Sequence, residues 1–477
     1  MGCARSRLPG RAARARGVVA ALASLAGLLA CAPEPDPPPN LVLIVIDTAR
    51  ADHFSSYGYP RQTTPRFDAF ARQGVRFERA YSTSTWTLPA HASLFTGLLP
   101  ATHGATQQRT RLDGELETLA ELVAARGYRT ASFSNNAWIS RTTGMAQGFD
   151  HVDPRWRDKS RPERDGLPHP TNRAIFAWLD AQPGGPFFLF VNFMEPHWPF
   201  RPPPAWRARF VRGDPPRGRR RRAGFPAVRW YSGKIHPSEP LLSLRADLYD
   251  ADLAYADAAL GELLDGLAAR DLLDASVVVV TADHGENLGD RGHQGHSFAL
   301  YDSTVRVPLA IRRPGGESGR VRTDPVQLPD VAVTLAAAAG VAFADPRVVG
   351  RDLSAGPLPE SRPLVAQYAY PATFLARFPA DETVQRAIAR YRRELRALRV
   401  GDEKLIWASD GDHELYDLAA DPVEARDRSA DDPARVRALE AELEALLGSL
   451  ERAPTPDEPG PLDEDVLENL RAVGYVK

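Results

Sequence analysis

Three strongly apolar runs constrain the fold of this chain more than any other feature: Leu41-Val42-Leu43-Ile44-Val45-Ile46, Phe187-Phe188-Leu189-Phe190-Val191-Asn192-Phe193 and Val277-Val278-Val279-Val280-Thr281. A strand with one wet face alternates apolar and polar side chains. These runs do not alternate, so each is predicted to be buried on both faces, as in a parallel sheet covered by helices. Residues 130–134 read as a further strand. Helical patterns lie between the runs, around residues 64–73, 90–96, 116–126 and 172–182. A long one covers 241–270, with Leu248, Leu253, Leu260, Leu263, Leu264 and Leu267 at apolar spacing. Strands alternating with helices predict an α/β sandwich whose sheet is mainly parallel.

From about residue 363 the texture changes. Leu398-Arg399-Val400, Leu405-Ile406-Trp407 and Glu414-Leu415-Tyr416-Asp417-Leu418 are short strand candidates separated by turns, and 434–450 reads as an amphipathic helix with Pro433 just ahead of it. Residues 363–477 are therefore expected to form a small antiparallel subdomain with a packed helix and tail, beside a main domain over 40–362. Residues 201–240 are rich in Pro and Arg, with Arg at all of 217–222 except Gly218. A solvated insertion explains this run more simply than a phosphate-binding patch. The net charge of −2 gives no global field toward nucleic acid, and no nucleic-acid or protein partner follows from the sequence.

The N-terminus carries Arg5, Arg7, Arg11, Arg14 and Arg16, then an apolar run over 18–30 that is short for a membrane span. This is the pattern of an export signal. Leu28-Leu29-Ala30-Cys31 resembles a bacterial lipobox, so residues 1–31 are expected to be a lipoprotein-type signal with Cys31 lipidated. Residues 32–39, rich in Pro, would form an extended tether. The body would then be periplasmic or on the cell surface, anchored to membrane. Cys3 and Cys31 are the two cysteines of the chain, so the body holds none for a disulfide, a thiolate nucleophile or a Cys-based metal site.

The chemistry-bearing residues fall just past strands or at helix starts, where open α/β sheets build their sites. Asp47 follows the first apolar run. Thr87 lies two residues before Pro89 in Thr83-Ser84-Thr85-Trp86-Thr87-Leu88-Pro89-Ala90-His91-Ala92-Ser93-Leu94-Phe95-Thr96-Gly97, which suits the first turn of a helix. The simplest role for its hydroxyl there is to cap the helix; the same place offers free N–H groups to an anion. Asp283 and His284 follow the Val-rich run in Thr281-Ala282-Asp283-His284-Gly285-Glu286, a carboxylate and an imidazole suited to a metal. His293 and His296 follow, and Glu195-Pro196-His197-Trp198-Pro199 lies past the Phe-rich run.

In that order, together with Ile46-Asp47-Thr48-Ala49-Arg50-Ala51-Asp52 and Glu414-Leu415-Tyr416-Asp417-Leu418, these segments resemble the sulfatase branch of the alkaline phosphatase superfamily over most of the chain. The resemblance implies an alkaline-phosphatase-like sandwich, with 40–362 as the catalytic domain. It implies a divalent metal on Asp47, Thr87, Asp283 and His284, with Thr87 as nucleophile. His197 and His296 would hold substrate oxygens or complete a second metal site, and His91 and His293 would contact substrate. One metal ion is implied, or two; histidine favours zinc or manganese, while carboxylates also suit calcium or magnesium.

The departures from the family pattern are specific. Thr87 stands where sulfatases carry the Cys that becomes formylglycine, Ala90-His91 replaces Ser-Arg, Thr48 stands where many have a second Asp ligand, and His296 falls near a usual Lys. Thr-bearing relatives break phosphate esters through a phospho-Thr. The expected activity is hydrolysis of an anionic phosphate mono- or diester, or phosphonate ester. The alternatives are a sulfuric ester hydrolase by descent, a phosphoryl transferase of the cell envelope, and a lipid-anchored protein that only binds an anionic glycan.

Overall fold

The computed structural model describes residues 1–2, 37–157, 169–181, 184–212, 227–450 and 462–473. The expectations for the signal segment and Cys31, for most of the Pro-rich tether and for the Arg run at 217–222 lie outside the described residues. The chain divides into two compact units, Met1–Pro38 and Pro39–Lys477, and the second carries the whole architecture below.

Its centre is an eight-stranded sheet made of β1 (Asn40–Ile46), β2 (Val75–Phe77), β3 (Arg129–Ser134), β4 (His151–Pro154), β5 (Phe187–Phe193), β6 (Ser276–Thr281), β7 (Leu309–Arg312) and β8 (Arg320–Arg322), in the spatial order β8-β2-β7-β6-β1-β5-β3-β4. The three apolar runs occupy its middle: β1 pairs in parallel with β5 on one side and β6 on the other, with Val45 opposite both Asn192 and Thr281. Every residue of β1, β5 and β6 is buried. Each large apolar side chain taken fully out of water contributes about 1.5–3 kcal/mol, which explains why these three runs take the centre. β7 runs antiparallel to its neighbours β6 and β2. The sheet is thus mainly parallel, as expected from the absence of alternation.

Helices cover it: α1 (Pro65–Ala71), α2 (Thr87–Thr96), α3 (Leu119–Ala124), α4 (Pro170–Asp180), α5 (Glu239–Ala268), then a short turn α6 (Asp302–Val305) and α7 (Leu328–Ala338). The helix expected over 116–126 is shorter, because Thr118 and Glu121 close a capping box that fixes its start. The second sheet is antiparallel and four-stranded, in the order β9 (Leu364–Tyr368), β10 (Leu395–Val400), β11 (Glu403–Ala408) and β12 (Glu414–Asp417). Helix α8 (Pro433–Gly448) packs on it through Val436, Leu439 and Leu443 against Leu398, Leu405 and Leu415. The sequence had not marked β9. This sheet lies in the same compact unit as the central one.

Candidate active site

The carboxyl ends of β6, β1, β5 and β3, adjacent in the sheet, deliver the polar side chains. The Asp47 N–H is fixed on the carbonyl of Phe193 at 2.8 Å, where β1 and β5 end together. Asp283 and His284 follow β6, His197 follows β5 and Asn136 follows β3. Thr87 enters from a different layer as the first residue of α2. Its hydroxyl does not cap the helix: the cap position belongs to Trp86, without a side-chain cap. The Thr87 Oγ instead stands 3.3 Å from Asn136 Nδ2 and faces the Asp283 carboxylate. Asp47, Thr87, Asp283 and His284 are all fully buried.

One ligand atom from each of Asp47, Asp283 and His284 lies within 4.8 Å of the others. Asp47 Oδ2 accepts from Asn136 Nδ2 at 2.7 Å, while Oδ1 has no donor. Asp283 Oδ1 accepts the N–H groups of Thr48 at 3.1 Å and of His284 at 2.9 Å, while Oδ2 has no donor. The Nδ1 of His284 donates to the Gly285 carbonyl at 3.0 Å, which leaves a lone pair on Nε2, also without a partner. Burial pushes the Asp283 carboxyl up to about 7, and burial together with the Asp283 charge raises Asp47 well above the usual carboxylate range. Burial lowers His284 to about 3, so its imidazole is neutral. Two buried acids, each with one oxygen that meets no donor, and a bare imidazole nitrogen are costly as they stand and fit a divalent cation.

His197 and His296 form a second arrangement beside the first. Nδ1 of His296 donates to the Thr85 carbonyl at 2.8 Å, and Nδ1 of His197 to the carbonyl of Trp198. Their Nε2 atoms therefore face each other as acceptors, 3.3 Å apart. Such a pair is joined by whatever lies between it, a proton or an electropositive atom. The His296 ring lies 4.5 Å from that of His284, so the two arrangements share a wall. His91 donates from Nδ1 to the Thr87 carbonyl at 2.9 Å, stands 3.7 Å from Asp283 Oδ2, and packs its ring on Phe95 and Phe190. His293 is not brought to this cluster; its ring packs among Tyr231, Tyr301 and Tyr391.

The sulfatase family model matches residues 39–341, more than half of the chain. The chain belongs to the sulfatase family. This family of ester hydrolases lies within the alkaline phosphatase superfamily. An ulvan-active sulfatase of Formosa agariphila is 27% identical over 349 residues, 66% of this chain and 64% of that protein. A choline-sulfatase of Rhizobium meliloti is 23% identical over 81% of each chain. Among solved structures, the phosphonate monoester hydrolase of Agrobacterium radiobacter superposes with a TM-score of 0.68 at 24% identity, over 86% of this chain and 95% of that one. That likeness concerns the fold.

Within this sulfatase-family frame, three residues of the site were not assigned a role from sequence. Asn136 bridges Asp47 and Thr87. The signal for Asn136 was available, since it stands just past β3 as Asp47 stands past β1. Glu286 is fully buried with both carboxylate oxygens lacking a donor, and burial raises it to about 8. Thr48, at the departure from the usual second Asp, contributes its N–H to Asp283 from a left-handed backbone with φ of 56°. No helix among the described residues is long and apolar enough to cross a membrane.

Proposed function

We propose that this chain is a metal-dependent hydrolase of phosphate mono- or diesters or phosphonate esters, with Thr87 as the covalent nucleophile. The observation that carries this reading is the placement of the Thr87 hydroxyl. It begins a helix, faces Asp283 and Asn136, and adjoins the Asp47–Asp283–His284 trio. The body holds no Cys from which formylglycine could be made. Asp47, Asp283, His284 and Thr87 would hold the cation. When bound, it supplies Lewis-acid polarisation and a lower pKa for the Thr87 hydroxyl.

Thr87 Oγ attacks phosphorus as its proton leaves. The bond from phosphorus to the leaving oxygen breaks in line, giving phospho-Thr87 and an alkoxide. The N-terminal N–H groups of α2 favour the anionic group at that position. The proton given up by Thr87 is taken up between the facing Nε2 atoms of the neutral His197–His296 pair and passed on to the alkoxide. Water then attacks phospho-Thr87, releasing phosphate or phosphonate and restoring the hydroxyl. Asn136 holds Asp47 and Thr87 in register throughout.

The test is mass spectrometry of enzyme quenched during turnover of an aryl phosphonate or phosphate ester. A phosphoryl or phosphonyl adduct on Thr87 is expected. Hydrolysis of an aryl sulfate alone, with no adduct, would replace this reading with a sulfuric ester hydrolase, which the sulfatase names of the relatives favour. Export and membrane attachment through lipidated Cys31 form part of the proposal, supported by the lipobox-like 28–31. Labelling with a fatty-acid analogue, lost in Cys31→Ala, tests that part.

A further inference from the structure

Lys404 is a buried cation far in sequence from every residue of the site. It lies on β11 of the second sheet and is 2% exposed. Its Nζ donates to Asp302 Oδ1 at 2.7 Å and to Glu424 Oε1 at 2.6 Å. Glu424 Oε2 accepts the N–H of Asp302 at 2.7 Å, and Arg399 reaches Asp302 Oδ2 at 3.2 Å. The second sheet and the segment that follows it thus grip the first residue of the short turn α6.

That turn touches both halves of the active site. The Thr304 carbonyl accepts the N–H of Gly285 at 2.8 Å, and Ser303 Oγ donates to Asn287 Oδ1 at 2.8 Å. A Cβ on Gly285 would stand 2.2 Å from the Ser303 oxygen, so the two backbones are in direct contact. The Gly285 carbonyl in turn orients the His284 ring. At its other end, the Val305 carbonyl accepts the N–H of Ser82 at 2.7 Å, at the head of the segment leading to Thr87. The same segment is held from β9, where Gln367 N–H donates to the Thr83 carbonyl at 2.8 Å.

We propose that Lys404 is a positioning residue of the active site. Through Asp302 and α6 it sets the His284 backbone and the Thr87 segment at the spacing a cation requires. The second sheet is on this account part of the metal centre's support. A four-charge cluster costs desolvation that an apolar contact would not, but its geometry admits one arrangement, which a greasy contact does not impose. The inference rests on the metal reading above.

The experiment is calorimetric titration of the full chain, stripped of metal, with Mn²⁺ or Zn²⁺, alongside thermal melts. Lys404→Met is expected to weaken metal binding at least about tenfold, as loss of a supporting contact does around metal ligands, with Lys404→Arg restoring most of it. Arg435→Ala is the control. It breaks the pairing with Glu403, the residue next to Lys404 on β11 and on the opposite face of that strand, and should leave metal affinity within about twofold while lowering the melting temperature. If Lys404→Met does not fold, Glu424→Gln removes one partner and keeps an acceptor for the Asp302 N–H; a rise of roughly threefold in the dissociation constant is expected. Wild-type affinity in these variants, or equal weakening in Arg435→Ala, overturns the positioning role and leaves the metal reading intact. A wild-type chain that takes up neither ion overturns both.

Discussion

Two largely buried charge clusters in this chain are built on opposite plans. Around Lys404, two cations meet two carboxylates, and the carboxylate oxygens of Asp302 and Glu424 are all engaged. Around Thr87, Asp47 and Asp283 repel each other, and one oxygen of each points at no donor. The first cluster has nothing left to bind. The second gathers oxygen and nitrogen acceptors that meet no donor, a set that suits a divalent cation. Buried charge alone therefore does not mark a functional site; buried charge without partners does.

The largest effect expected from breaking that contrast is chemical. Thr87→Ala should lower turnover of aryl phosphate or phosphonate esters by on the order of 10⁴ or more, with an unchanged melting temperature, as loss of a nucleophile does elsewhere. Persistent turnover would move the nucleophile to another residue. At the closed cluster, Lys404→Met should cost about 3–5 kcal/mol in denaturant unfolding, because buried Glu424 loses its counter-ion and Asp302 keeps only Arg399.

The open cluster should respond with the opposite sign. In metal-free protein, Asp283→Asn should gain about 1–3 kcal/mol at neutral pH, since it removes an unpaired buried charge. The sign follows from linkage. An acid whose folded pKa is raised from 3.8 to about 7 stabilises the fold below the lower value, and that contribution is lost as pH rises through the higher one. The advantage of Asp283→Asn over wild type should thus grow between about pH 4 and pH 7 and then level off. Saturating Mn²⁺ should reverse the order of the two proteins. Melts across this pH range, with and without metal, check both statements.

Smaller effects sharpen the boundary of the site. Asn136→Ala should weaken metal binding about 10- to 100-fold through the loss of a donor to Asp47, measured by calorimetry. His293→Phe should change kcat/KM by less than about threefold, because its ring neighbours are tyrosines of the core rather than the Thr87 cluster. A large loss in His293→Phe would bring that aromatic group into the substrate pocket.

Much of the fold could be read along the chain. The β1, β5 and β6 runs announced a doubly covered sheet because polar residues do not alternate along them, and Asp47, Asp283, His284 and His197 announced themselves by standing just past strand ends. Thr118 could have shortened its helix in advance, since Glu121 completes a visible capping box. Other features were not legible because they depend on distance in space. Asn136 is ordinary in sequence until β3 places it against Asp47. Lys404 and Asp302 lie in different sheets' territory and show no pattern that joins them.

The sequence by itself determined the sheet, the candidate ligands and the absence of a cysteine nucleophile in the body, because burial period and residue type are local properties. Only the tertiary structure decided that Thr87 turns its hydroxyl toward Asp283 instead of capping α2, that His197 and His296 face each other while His293 turns to Tyr231, and that the second sheet grips α6. Those outcomes are set by which strand ends become neighbours, and neighbourhood is fixed when buried runs from distant parts of the chain pack together.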